Sequence, residues 1–267
     1  MNIAEPTILL SFDVEEFDLP LEYNGAIDTK TQMNIGYEGL MALGPLLSDA
    51  ELPVTLFTTA HFANHFATAI KNAAAIHEIA SHAYYHSTFK IEDLLASRMQ
   101  LENISGQSVT GLRMPRMKPV DMAAVLAAGY TYDSSLNPTW IPGRYNNLKL
   151  PRQPYIENNI TRIPLSVTPN LRLPLFWLAF KNMPYVTYLK LMRKTLQHDG
   201  YLCLYFHPWE FTTLINSYNI PYYTKKYCGS MLLDRLCQLI TDLRKEAIFS
   251  TMKTFEDTYF KQKRLLQ

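Results

Sequence analysis

The sequence predicts an α/β fold, a barrel-like arrangement of parallel strands with helices between them, and three observations carry that expectation. Strand-like and helix-like segments alternate through the N-terminal half, as parallel βα units require. Ionisable residues recur just after several apolar strand-like runs, the place where barrels carry their chemistry. Of the 267 residues 48% are hydrophobic and 18% charged, enough apolar material for one substantial core.

The elements follow in order. TILLSFDV is the first strand; the stretch 34–50 reads as a helix interrupted by glycine and proline, and PVTLFTTA is the second strand. HFANHFATAIKNAA is helical in composition, and AAIHEIASHA runs into a third strand. IEDLLASRMQLENISG is a helix ending near Gly106, VTGLRMP is short and extended, and VDMAAVLAAG is a helix closed by Gly129 before YTYDSSL. From Asn137 to Pro184 eight prolines exclude long regular elements. Order returns with the helix YVTYLKLMRKTLQHDG, the strand YLCLYFHP and the helix around SMLLDRLCQLITDLRKE, and FSTMKTFEDTYF reads as a last strand and a short helix. No repeat or low-complexity linker divides the chain, so residues 1–267 are expected to form one domain.

Composition removes several function classes. A net charge of +1 gives no electrostatic reason to expect nucleic acid as a partner. Cys203, Cys228 and Cys237 lack metal-binding spacing, and their odd number argues against a disulfide framework. No leader-like segment is visible, so the expected location is the cytoplasm. The longest apolar stretch, LRLPLFWLAF at Leu171–Phe180, is far too short for a bilayer span. It fits either a buried crossover or a peripheral contact with a membrane interface.

The strand ends hold the candidate chemistry. The first supplies Asp13 and Glu15, the third His82 and His86, and later ones Arg113, Asp133 and His207. His82 and His86 are four residues apart, and a helical turn there would place both imidazoles on one face, able to bind one ion. Taken alone, the spacing also fits a surface helix carrying two histidines. A carboxylate from another strand end would complete a two-histidine, one-carboxylate site with coordination positions left open for water.

Five segments in order resemble the motifs of the polysaccharide deacetylases, the NodB-homology or family 4 carbohydrate esterase domain. SFDVEEF resembles the first motif, HEIASHAYYH the second, GLRMPR the third, GYTYDSSL the fourth and LYFHP the fifth, all within residues 7–210. The resemblance implies a distorted (β/α) barrel of seven parallel strands and a hydrolase that removes acetyl groups from sugars with one divalent metal ion. Zinc is the expected ion, with cobalt or nickel as other fits. It also implies roles: Asp13 as the general base for the attacking water, His82 and His86 as metal ligands, Arg113 as the residue that orients and keeps ionised that base, and His207 as the general acid. Asp133 matches the fourth motif, where a structural task is an open alternative, and Trp140 would line the sugar groove.

Two departures from the family pattern matter. The usual second aspartate, a metal ligand, is Val14 here, which cannot bind metal. Residues 13 and 15 share one face of an ideal strand while 14 points away, so Glu15 is the expected third ligand in preference to Glu16. In the third motif Arg116 and Met117 stand where an aromatic often packs; Arg116 would contact a phosphate or carboxylate on the substrate or else be solvated. The expected substrate is an N-acetylated sugar, in a polysaccharide, an oligosaccharide or a lipid-linked glycan. Two alternatives are an amidase for a small non-sugar amide and a non-catalytic glycan-binding protein with a decayed metal site.

Overall fold

The structure is a computed structural model that describes residues 5–214 and 218–265. Its strands are, in chain order, β1 (Thr7–Val14), β2 (Thr55–Thr58), β3 (Glu78–Ser81), β4 (Gly111–Leu112), β5 (Tyr132–Asp133), β6 (Trp140–Ile141), β7 (Tyr145–Asn146), β8 (Tyr155–Glu157), β9 (Ile160–Arg162), β10 (Tyr201–Phe206) and β11 (Ile248–Phe249). β1 is the centre of the wall. It is buried on both faces from Ile8 onward; Ile8, Leu10, Phe12 and Val14 make one face apolar, while Ser11 and Asp13 lie buried on the other.

The main sheet runs β10-β1-β2-β3-β4-β5-β9-β8, with β11 beside β1. The expected barrel-like α/β fold is borne out and only its strand count is corrected: seven strands are parallel in one continuous wall, but among the described residues the sheet has nine strands and is mixed. The continuous parallel wall is β10 through β9, and two further strands are added to it. β8 is antiparallel because it joins β9 through Asn158 and Asn159, both at positive φ (48° and 62°), the turn chemistry of a tight hairpin. β11 pairs only with Thr7 and Ile8, leaving Ser11–Val14 free to pair with β2. The two ends of the wall meet irregularly at Ser166, just past β9, whose N–H donates to the Cys203 carbonyl of β10 (3.0 Å).

Helices cover the outside. The helix Thr29–Ala42 starts earlier than the sequence pattern suggests because Asp28 caps it, accepting from the Thr31 N–H at 2.9 Å. Helix Ser230–Leu243 buries Leu232, Leu236, Leu239, Ile240 and Leu243, the 3.6-residue stripe of an element laid on a core. The helix Tyr185–Asp199 ends at Gly200, whose φ of 75° reverses the chain into β10. Gly39 allows a close approach: a Cβ there would lie 2.0 Å from the Pro208 carbonyl oxygen, so only glycine lets helix Thr29–Ala42 rest on the turn after β10. That turn carries His207. Among the described residues no helix is long and apolar enough to cross a membrane.

Candidate active site

The C-terminal ends of β1, β3 and β10 open into one cavity whose lining includes Asp13, Glu15, His82, His86, His207 and Trp209. β1 ends at Val14, which packs wholly buried in the core, while the residues on either side line the cavity. Glu15 thus brings to the cavity a carboxylate that Val14 cannot supply. Its Oε2 lies 3.1 Å from His82 Nε2 and 3.0 Å from His86 Nε2, and its Oε1 accepts from Trp209 Nε1 at 3.3 Å.

The two histidines do not come together through a helical turn, as their spacing had suggested. Residues 82–86 form a loop with Ala83 at a φ of 60°, and the imidazoles lie nearly parallel with centroids 5.6 Å apart. Helix Ala60–His65 holds this loop, its first N–H groups donating to the Ala83 and Tyr84 carbonyls (3.1 and 2.9 Å). The unpaired N–H groups of a helix start do this work.

Whether this cluster suits a cation can be tested on its hydrogen bonds. His82 Nδ1 donates to the Arg113 carbonyl at 2.7 Å, an oxygen that can only accept. His86 Nδ1 pairs with Asp18 Oδ1 at 2.8 Å. Both rings therefore present Nε2 to Glu15, and a proton or a metal ion can occupy the space between. The ligand atoms of Glu15, His82 and His86 all lie within 4.8 Å of one another. Ligands of a tetrahedral zinc ion sit roughly 3.3 Å apart, so the donor set fits.

The electrostatics agree. Burial pushes the Glu15 carboxyl up, but the positive charges of His86 and His207 and hydrogen bonds from His82 and His86 outweigh it and hold it well below the usual range. Burial lowers His86, yet Glu15 and Asp18 raise it to about 10. The negative field that favours a proton there equally favours a cation. Asp18→Asn removes one of the two negative charges facing His86 and the charged acceptor behind its Nδ1. The expected result is a roughly 10- to 100-fold weaker zinc affinity with the fold retained, measured by competition with a chromogenic chelator.

Asp13 faces the same cavity from the far side of Val14. Arg113, fully buried, reaches it with Nη1 at 2.7 Å and also donates to Ser11 Oγ (2.9 Å), Ser134 Oγ (3.0 Å) and the Ser134 carbonyl (3.2 Å). Its guanidinium lies 4.1 Å over the Phe57 ring. His207 stacks on Trp209 with centroids 5.0 Å apart and meets the edge of Trp177.

Other sequence candidates lie elsewhere or play other parts. Glu16 turns away to accept from Thr59 Oγ1 (2.6 Å) and from the His86 backbone N–H (3.2 Å). Asp133 is buried against Arg162 Nε at 3.0 Å and accepts from the Ser135 N–H, a structural pairing. Trp140 is 58% exposed and not in the cavity wall, where its neighbour Ile141 is. Arg116 is partly buried and lines the cavity: it pairs with Asp18 (2.8 Å) and Glu22 and donates to the His86 carbonyl (3.0 Å), tying the loop after β1 to the loop after β3. In the stretch 171–180, Leu175, Trp177 and Phe180 are buried and Phe176, Trp177 and Leu178 line the cavity, which accounts for most of its hydrophobicity. Asp18, Trp209 and Glu210 were missed as site residues. The one readable signal was their closeness in the chain to Glu15 and His207.

No protein-family model matches the sequence, and no curated protein matches it. The comparison of structures is informative. A candidate polysaccharide deacetylase from Mycobacterium smegmatis superposes with a TM-score of 0.69, covering 97% of this chain and 92% of that one at 17% identity. The chain has the polysaccharide deacetylase fold. A probable polysaccharide deacetylase from Pseudomonas aeruginosa PAO1 matches this deacetylase-fold protein with a TM-score of 0.65 over 93% and 88% of the two chains at 15% identity. PuuE allantoinase shares the same fold, at 0.66 over 95% and 89% and 15% identity. Of the residues picked out by motif order, Asp13, Glu15, His82, His86 and His207 line the cavity, Arg113 reaches it through Asp13, and Asp133 and Trp140 lie outside it.

Proposed function

We propose that the protein is a metal-dependent hydrolase that removes the acetyl group from an N-acetylated sugar of an oligosaccharide, a polysaccharide or a lipid-linked glycan. The observation that carries this reading is the convergence of Glu15, His82 and His86 on one point of a cavity that Asp13 and His207 also line. A divalent ion held by those three side chains, zinc in the first instance, would make water a strong nucleophile near neutral pH and polarise the acetyl carbonyl.

The chain's own groups do the rest. Asp13, anchored by Arg113, takes the proton of the water as its oxygen attacks the carbonyl carbon. His207 gives a proton to the amide nitrogen as the C–N bond breaks, so an amine and acetate leave. Tyr205 and Trp177 provide a flat apolar wall beside His207, suited to a sugar ring. Leu171 and Leu173, 76% and 39% exposed, flank Arg172, which hydrogen-bonds to Pro138 and Thr139 just before the hairpin of β6 and β7, and this exposed apolar pair favours a lipid-linked substrate or a membrane-proximal one.

The fold shared with PuuE allantoinase supports a second reading, hydrolysis of a small non-sugar amide. Zinc-loaded protein should release acetate from N-acetylglucosamine oligomers, quantified by coupled assay, and the ion-free protein should not. Hydrolysis of small amides with no acetate release from glycans would put the second reading first. Saturable glycan binding without any turnover would point to a non-catalytic protein.

A further inference from the structure

Lys181 and Glu210 are fully buried charged side chains that the chemistry above does not use. Lys181 lies on helix Trp177–Asn182, in the apolar stretch that crosses over to the cavity, and Glu210 in the turn Pro208–Phe211. Their charges meet at 2.9 Å between Nζ and Oε2. Lys181 also donates to the Thr224 carbonyl at 2.7 Å, and its ammonium lies 5.1 Å and 5.5 Å over the Trp177 and Trp209 rings. The other carboxylate oxygen, Oε1, accepts from both the backbone N–H of His207 (2.9 Å) and its Nδ1 (3.0 Å).

Stability does not explain this pair. A buried lysine–glutamate contact is commonly no better than apolar residues of the same volume, because both ions give up hydration. What the pair does accomplish is geometric. An ionised carboxylate can only accept, so Nδ1 of His207 must carry its hydrogen toward Glu210, which leaves Nε2 as the nitrogen free to act in the cavity. The stacked Trp209 and the perpendicular Trp177 fix the ring plane. We propose that Glu210, held in place by Lys181, is the positioning residue that sets the tautomer and orientation of His207 for proton donation. This rests on reading His207 as the proton donor.

The charged groups around His207 are Glu210, Glu15, Asp13 and, through Glu210, Lys181. Burial lowers the His207 pKa, and Glu15, Glu210 and Asp13 raise it above its ordinary value. Burial raises Glu210, and Lys181 and His207 bring it below the usual carboxylate range. Asp13 is already paired with Arg113 and a cation would offset Glu15, so Glu210 is the carboxylate left to support an imidazolium.

The test uses the full chain, zinc-loaded and labelled with 15N-histidine, with His207→Asn to assign the resonance. Neutral His207 in the parent should be the Nδ1–H tautomer; the Nε2–H tautomer would overturn the proposal without any variant. Glu210→Gln should mix the tautomers and move the alkaline limb of the kcat profile down by about one pH unit. It should lower kcat on the order of 10²-fold with KM little changed and zinc content equal. Because Glu210→Gln strands a buried lysine, the double variant Lys181→Met, Glu210→Gln is made beside it and should behave alike. A folded, zinc-loaded double variant with an unmoved tautomer and pH profile would leave the pair a merely structural link. Absence of acetate release by the parent would remove the deacetylase reading but leave the tautomer result standing.

Discussion

Glu15→Ala is expected to abolish stoichiometric ion binding. The parent, incubated with zinc and desalted, should keep about one ion per chain by plasma mass spectrometry, and the variant should keep almost none. The reason is local: the carboxylate is the single negative group that both His82 and His86 present Nε2 to, and no neighbour replaces it, since Glu16 and Asp18 are committed to other partners. If loss of a residue that supports a ligand costs about 10- to 100-fold in affinity, loss of the ligand itself should cost more. A second readout follows from linkage. An ion that binds the folded chain alone raises its Tm, so zinc should stabilise the parent and not the variant. Equal zinc retention by both proteins would mean that the ion, if bound, is held elsewhere.

Asp13→Asn is expected to separate binding from turnover. The side chain is not among the three that we propose hold the ion, so zinc content should match the parent. Asparagine keeps an oxygen that can accept from Arg113 Nη1, and the guanidinium retains Ser11 and Ser134 as partners, so the fold should persist. What it loses is the ability to accept a proton. A loss in kcat on the order of 10³-fold is expected, measured as acetate release at saturating substrate. Arg113 variants would test the same pair less cleanly, because removing one member of a buried ion pair costs about 3–5 kcal/mol of stability. Turnover near the parent's would remove Asp13 from the base's role.

Much of this arrangement could be read along the chain, for reasons tied to particular residues. β1 is legible because TILLSFDV opens on an apolar run, Ile8–Leu10, keeps Phe12 and Val14 on the same face and leads into carboxylates. The preference for Glu15 over Glu16 follows from the alternation of a strand, which the fold retains up to Val14, and Glu16 turns away to Thr59. The ends of helices at Gly106 and Gly200 were equally visible, because a left-handed residue favours glycine.

Other features depend on contacts between distant segments and left no local trace. The hairpin of β8 and β9 turned an expected parallel sheet into a mixed one through two asparagines at positive φ, which no hydrophobic periodicity records. His82 and His86 converge on a loop braced by another helix's N-terminus, although their spacing alone suggested a helical turn. Asp18 and Lys181 read as ordinary charges in the chain and Arg116 as a substrate contact or a solvated charge, because their partners lie far off, 98 positions in the case of Arg116 and Asp18. Periodicity and turn chemistry are properties of neighbouring residues, so the chain alone established the strands outside 137–184, most of the long helices and the ionisable groups at the strand ends. Which carboxylate faces which imidazole, and which buried charge braces it, depends on the burial and pairing that arise when those ends are brought to one cavity.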